Sequence, residues 1–197
     1  VPGTPGVMNG ENPIYTMAHL NKWVATIDLK DPANKEAMER LVRQSDIVMD
    51  NLRPGAVDRM GVAYDTIRRL NPSVIAAASP AYGDEGPLKH VPGNDTQIAM
   101  LCGFVSLNGE VGGRPQTLRY AECDFNAAFF FAASILLGLV SRERTGRSQR
   151  VVAGHLPSNV TLMITRMAEY FATGVTPGPS GDASTSTAPH QFFLCKD

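Results

Sequence analysis

Asp124 stands just ahead of a long, nearly uncharged run, Ala127 to Val140, that closes in the charged segment Arg142-Glu-Arg-Thr-Gly-Arg-Ser-Gln149. A carboxylate at the start of an apolar helix is favoured by the free amides of the first turn and by the helix dipole. That environment keeps it charged in apolar surroundings, which is what a nucleophilic carboxylate requires. The same placement suits an ordinary N-cap serving the amides of Phe125 to Ala127. Residue types alone leave both readings open.

A second constellation is Asn51-Leu-Arg-Pro-Gly55 followed by a helix start carrying Arg59. Backbone amides and two guanidinium groups at a strand's carboxyl end can hold phosphate. The alternative is a tight turn flanked by two solvated arginines, and no glycine-rich dinucleotide fingerprint or phosphate loop accompanies the segment. His19, His90, His155 and His190 are scattered without metal-ligand spacing, so no metal site is expected. Gly-x-Ser-x-Gly is absent, which removes a nucleophile-elbow hydrolase. Asn94-Asp-Thr and Asn159-Val-Thr match the glycosylation sequon by chance in this reading.

The elements that must position these groups alternate. Residues 1–15 are rich in Gly, Pro and Asn and read as irregular; Trp23 to Leu29 has the composition of a strand. Asp31-Pro32 caps a helix over 32–44 with Ala37, Met38, Leu41 and Val42 as its apolar stripe. Strands follow at 47–49 and 74–78, with helical turns at 57–60 and 64–70 between them. Helices are expected at 95–106, 124–143 and 157–173, and a strand at 149–153. Such alternation predicts an α/β fold, a doubly wound and mainly parallel Rossmann-like sheet, whose ligands gather at the strands' carboxyl ends. Residues 1–154 form the large domain in this reading, incomplete at its N-terminus, and residues 155–189 a linker helix with a Pro/Gly/Ser/Thr-rich linker. Gln191 to Cys195 begins another strand, and residues 190–197 start a second, smaller and truncated domain.

Composition narrows the function classes. The chain has 197 residues, 43% apolar, with 18 basic against 19 acidic side chains for a net charge of −1, which lacks the basic footprint of a nucleic-acid binder. Cys102, Cys123 and Cys195 show neither zinc nor disulfide spacing, and a reducing, cytoplasmic setting fits them best. The fourteen-residue run from Ala127 to Val140 is too short to cross a bilayer and reads as a buried core helix, so no membrane role is expected.

Taken in order, Asn21-Lys22, Ile27-Asp-Leu-Lys-Asp-Pro32, Asp46-Ile-Val-Met-Asp-Asn-Leu-Arg-Pro-Gly55, Asp58-Arg-Met-Gly61, Leu70-Asn-Pro72, Gly83-Asp-Glu-Gly-Pro87 and Arg142-Glu-Arg-Thr-Gly146 resemble family III CoA-transferases. This is the family of formyl-CoA transferase and the carnitine and crotonobetaine CoA-transferases. The resemblance covers the central part of such proteins, without their leading strand and phosphate-side loop or the body of their smaller domain.

The resemblance implies transfer of CoA from an acyl-CoA donor to a carboxylic acid through mixed-anhydride and aspartyl-CoA thioester intermediates, with the family's catalytic aspartate at Asp124. It implies no prosthetic group, CoA thioesters being the substrates. By position, Ile27, Lys30, Asn51, Leu52, Arg59 and Met60 match residues that line the family's CoA site. Asn94 and Asp95 match its substrate pocket. An interlocked homodimer is implied for the full-length protein. Two alternatives remain. One is an isomerase similar to the α-methylacyl-CoA racemases of the same fold, whose Gly-His-Asp motif corresponds here to Gly93-Asn-Asp95. The other is an inactive fragment that keeps part of the CoA-binding fold.

Overall fold

A computed structural model describes residues 12–196. The chain forms two compact units, Val1–Met38 and Glu39–Asp197.

In the first unit, Asn12 caps a helix, α1 (Pro13–Ala18), its Oδ1 accepting from the amides of Ile14 at 3.0 Å and Tyr15 at 3.4 Å. The irregular stretch expected over residues 1–15 lies mostly outside the described residues, and α1 replaces its described end. Trp23 to Leu29 forms no strand: the segment lacks regular structure, and Trp23 is fully exposed. A strand is stabilised by its neighbours, and among the described residues this unit offers none to pair with. A turn follows in which Lys30 N–H donates to Asp28 Oδ1, and Ala33 N–H then donates to the Asp31 side chain at the start of α2 (Pro32–Gln44).

The second unit is built on a three-stranded, all-parallel sheet in the order β1 (Ile47–Asp50), β2 (Ile75–Ala78), β3 (Gln149–Val152). Between β1 and β2 run α3 (Ala56–Arg59) and α4 (Tyr64–Leu70). Between β2 and β3 run α5 (Asp95–Cys102), α6 (Phe104–Leu107) and the 24-residue α7 (Glu122–Thr145); α8 (His155–Leu162) and α9 (Ile164–Thr173) follow β3. The fold is therefore mixed α/β with a small parallel sheet. The central strand, Ile-Ala-Ala-Ala, is buried, and its small side chains let helices come close. At Gly138 of α7, an added Cβ would stand 3.2 Å from Val151 and 3.3 Å from Ile75, so glycine sets the helix-to-sheet spacing.

The register pairs Asp50 with Ala78 and Ala78 with Val152, so all three strands end at one level. Asn51, Ser79 and Ala153 thus leave the sheet side by side.

Two further expectations change. The helices expected at 95–106 and 157–173 are each broken: Gly103 ends α5 at φ +95°, in the left-handed region open to glycine, and Met163 separates α8 from α9. Gln191 to Lys196 forms no strand, with Phe192 and Leu194 exposed.

The apolar run of α7 is not a buried core helix either. Only Cys123, Ala127 and Gly138 are fully buried, whereas Phe129, Leu136 and Leu137 are exposed. The helix is apolar all round, and α5, α8, β2 and β3 pack against only part of it. By length and composition alone, it also suffices to cross a bilayer.

Candidate active site at the start of the long helix

Where the three strands end, Asn51, Ser79 and Ala81 face Gly93, Asn94, Asp95 and Ile98 of the α5 entry, Asp124 of α7 and His155 of α8 around a cavity of about 270 Å³. The chain leaves each strand under hydrogen-bond control. Ser79 N–H donates to Asp50 O and its Oγ donates to Ala153 O, both at 2.9 Å, while His155 N–H donates to Pro80 O at 3.0 Å.

Asp124 is the third residue of α7, not its N-cap; Ala121 holds that position and gives no side-chain cap. The capping role passes to another helix. Oδ2 of Asp95 accepts from the amides of Cys123 at 2.9 Å and Asp124 at 3.0 Å, so the α5 carboxylate satisfies two free donors and frees the Asp124 side chain for other work. Asp95→Ala is therefore expected to lower unfolding free energy by about 1–2 kcal/mol, as loss of a helix cap does. Chemical denaturation of variant and parent measures this, and an unchanged midpoint would contradict the capping assignment.

The Asp124 carboxylate is half exposed, and its Oδ1 lies 3.2 Å from Nδ1 of His155. A carboxylate oxygen only accepts, so the approach is attractive when Nδ1 carries a hydrogen. Asn159, fully buried on α8, ties the two helices together: its Nδ2 donates to Cys123 O at 3.1 Å and to His155 O at 2.8 Å, and its Oδ1 accepts from Asn126 Nδ2 at 3.0 Å. The sequon at Asn159 thus holds a side chain enclosed in the core. Asn94 is engaged as the cap of α5, in a reciprocal pair with Gln97.

Cys123 and Cys102 pack together in the core beside this site. Burial pushes both thiols above their usual range, and for Cys123 the neighbouring Cys102 and Asp95 add to the rise. Neither thiol is suited to act as a nucleophile near neutral pH.

Of the residues matched to the CoA site, Asn51 lines the cavity. Leu52, Arg59 and Met60 are exposed on the chain that follows β1 and do not line it, and Arg59 makes no ion pair among the described residues. In the first unit, Ile27 is half-buried and Lys30 exposed. Sequence reasoning missed His155 and Asn159. A histidine three residues beyond a strand's carboxyl end is a usable signal, since ligands collect there; nothing in the sequence marks Asn159.

The sequence model of CoA-transferase family III matches residues 2–197. The chain belongs to this family. Among similar curated proteins, the acetyl-CoA:oxalate CoA-transferase of Acetobacter aceti is 28% identical over 196 residues, 98% of this chain and 50% of that protein. The formyl-CoA:oxalate CoA-transferase of Streptomyces avermitilis is 36% identical over 137 residues, 70% of this chain and 33% of that protein. The crystal structure of a CAIB/BAIF family protein from Brucella suis superposes with a TM-score of 0.86 at 27% identity, over 97% of this chain and 51% of that one. This family III chain spans between about a third and about half of the length of these proteins.

Proposed function

We propose that the protein transfers CoA from an acyl-CoA donor to a carboxylic acid, with Asp124 as the nucleophile. The observation that carries this reading is a half-exposed carboxylate on the wall of a cavity at the ends of parallel strands, with its backbone amide fixed by Asp95 and its oxygen beside His155. Asp124 attacks the donor thioester to give a mixed anhydride and CoA thiolate; the thiolate attacks the aspartyl carbonyl to give an enzyme-bound thioester. The acceptor acid reverses both steps, so thioester energy is kept and no prosthetic group takes part. Water must be kept from each intermediate.

On the same footing, Ile27, Lys30, Asn51, Leu52, Arg59 and Met60 contact CoA, the basic groups meeting its phosphates, and Asn94 borders the acyl pocket. In the full-length protein the three strands belong to a doubly wound, Rossmann-like sheet of the large domain, residues 155–189 lead to the smaller domain, and two chains form an interlocked, cytoplasmic homodimer. The uncovered apolar side chains of α7 support further protein packing against that helix. The racemase-like alternative needs a proton-transferring base where Asn94 stands, and an amide cannot serve as one near neutral pH.

The experiment is intact-protein and peptide mass spectrometry of the full-length protein after incubation with acetyl-, formyl- or succinyl-CoA, trapping with borohydride or hydroxylamine. The expected result is a CoA-sized mass gain on the intact protein before trapping, and after it, with CoA released, a hydroxamate (hydroxylamine) or an alcohol (borohydride) that maps to Asp124. Labelling at any other carboxylate refutes the assignment.

A further inference from the structure

Nδ1 of His155 lies 3.2 Å from one of the atoms that the proposed chemistry remakes, Oδ1 of Asp124. We propose that His155 is a second catalytic residue of the transfer, an N–H donor to the aspartyl oxygen that becomes negatively charged when CoA thiolate adds to the Asp124 side chain; this rests on the reading of Asp124 as the nucleophile.

The electron flow shows why a donor is needed there. Oδ2 of Asp124 bonds to the acyl carbon, and the carbon–sulfur bond breaks with its electron pair leaving on the CoA sulfur. That sulfur then bonds to Cγ, and Cγ becomes tetrahedral with a full negative charge on Oδ1. The Cγ–Oδ2 bond breaks next, Oδ2 departs within the donor's carboxylate, and Oδ1 is again a carbonyl oxygen. In the anhydride and the thioester Oδ1 is neutral, so a donor aimed at it acts far more strongly in the step between them than in either bound state. Such differential stabilisation is what raises a rate.

The imidazole is placed for this by the backbone. His155 is the first residue of α8, its N–H donates to Pro80 O, and its carbonyl accepts from buried Asn159. Gly154, just before it, sits so close to the chain at Gly83 that a Cβ would fall 2.6 Å from Gly83 N, which pins the approach of β3 to α8. The ring is mostly withdrawn from water, and its side chain is 21% exposed against 51% for Asp124. A partly dry donor interacts more strongly with developing charge than a solvated one. A contact of this length in an unliganded site tightens as the reacting groups come together.

The test measures, in the full-length protein, the rate at which the Asp124–CoA adduct forms, by rapid quench and intact mass with whichever of acetyl-, formyl- or succinyl-CoA reacts fastest with the parent. His155→Leu is expected to slow adduct formation about 100-fold, the typical cost of one oxyanion donor, with acyl-CoA binding unchanged. His155→Asn restores an N–H where Nδ1 sits and is expected to recover to within about tenfold of the parent. His155→Gln carries its donor at the place of Nε2 and stays slow, which gives a second comparison should the leucine variant fail to fold. A merely structural role would not make the asparagine variant faster than the glutamine one. Parent-like adduct formation in His155→Leu, or equal rates for the asparagine and glutamine variants, overturns the proposal alone. An adduct on a side chain other than Asp124 in the parent overturns the nucleophile assignment and this proposal together.

Discussion

Asp124→Asn is expected to abolish CoA transfer, lowering turnover by about 10⁴-fold or more while acyl-CoA still binds. The amide has nearly the carboxylate's shape and leaves its own backbone N–H with Asp95, so the start of α7 stays in place. What is lost is the attacking oxygen: an amide oxygen is too weak a nucleophile to open a thioester. The side chain is half exposed and makes no core contact that the amide would break, so thermal stability is expected to be close to the parent's. Steady-state assays of the full-length protein with a panel of carboxylic acids as acceptors, paired with binding and a melting curve, separate the two effects. Turnover within tenfold of the parent, with a normal fold, would refute the nucleophile. A collapse in stability would show Asp124 to be a structural residue of the helix.

The parts of this site that could be read from the sequence are those governed by local chemistry. Asp31-Pro32 marks the start of α2, and the β-branched run at Ile47 and Val48 and the small apolar run at Ile75 become β1 and β2 because each has a parallel neighbour. Trp23 to Leu29 has better strand composition than Ile75 to Ala78, yet only the latter is a strand, since pairing is decided by what lies alongside. Gly103 inside 95–106 is a local helix-stop signal, and α5 ends there. Asp124 could be placed near the start of α7 from its neighbours. That Asp95, 29 residues earlier, would cap the helix in its stead depends on how α5 crosses α7, which no local pattern encodes. Asn159 has no local signal for the same reason, its side chain reaching Cys123 O and Asn126 on α7, whereas the position of His155 after β3 is legible but its approach to Asp124 is not.

Asn159→Leu is expected to lower unfolding free energy by about 3 kcal/mol, about one for each of the three side-chain hydrogen bonds it removes. For a protein of this size, that corresponds to a melting point lower by about 6–12 °C. Leucine keeps the branching and heavy-atom count of asparagine, so the change removes the polar clamp without opening a cavity. Asn159 is fully buried, and without it Asn126 loses one of its two acceptors, so that of the side-chain hydrogen bonds between α7 and α8 those to Asn159 are lost while Asn126 keeps Ser158 O. Exposed ion pairs such as Arg43 with Glu39 are worth far less, typically under about 1 kcal/mol, so Arg43→Ala is a fitting control. The clamp also fixes how far His155 stands from Asp124, because Asn159 binds the carbonyl of the first and the carbonyl just before the second. Turnover should therefore fall together with stability in Asn159→Leu, whereas Arg43→Ala should leave both near the parent's values. Differential scanning calorimetry with parallel rate measurements decides it: a leucine variant that melts with the parent would show that the two helices are held in register by packing alone.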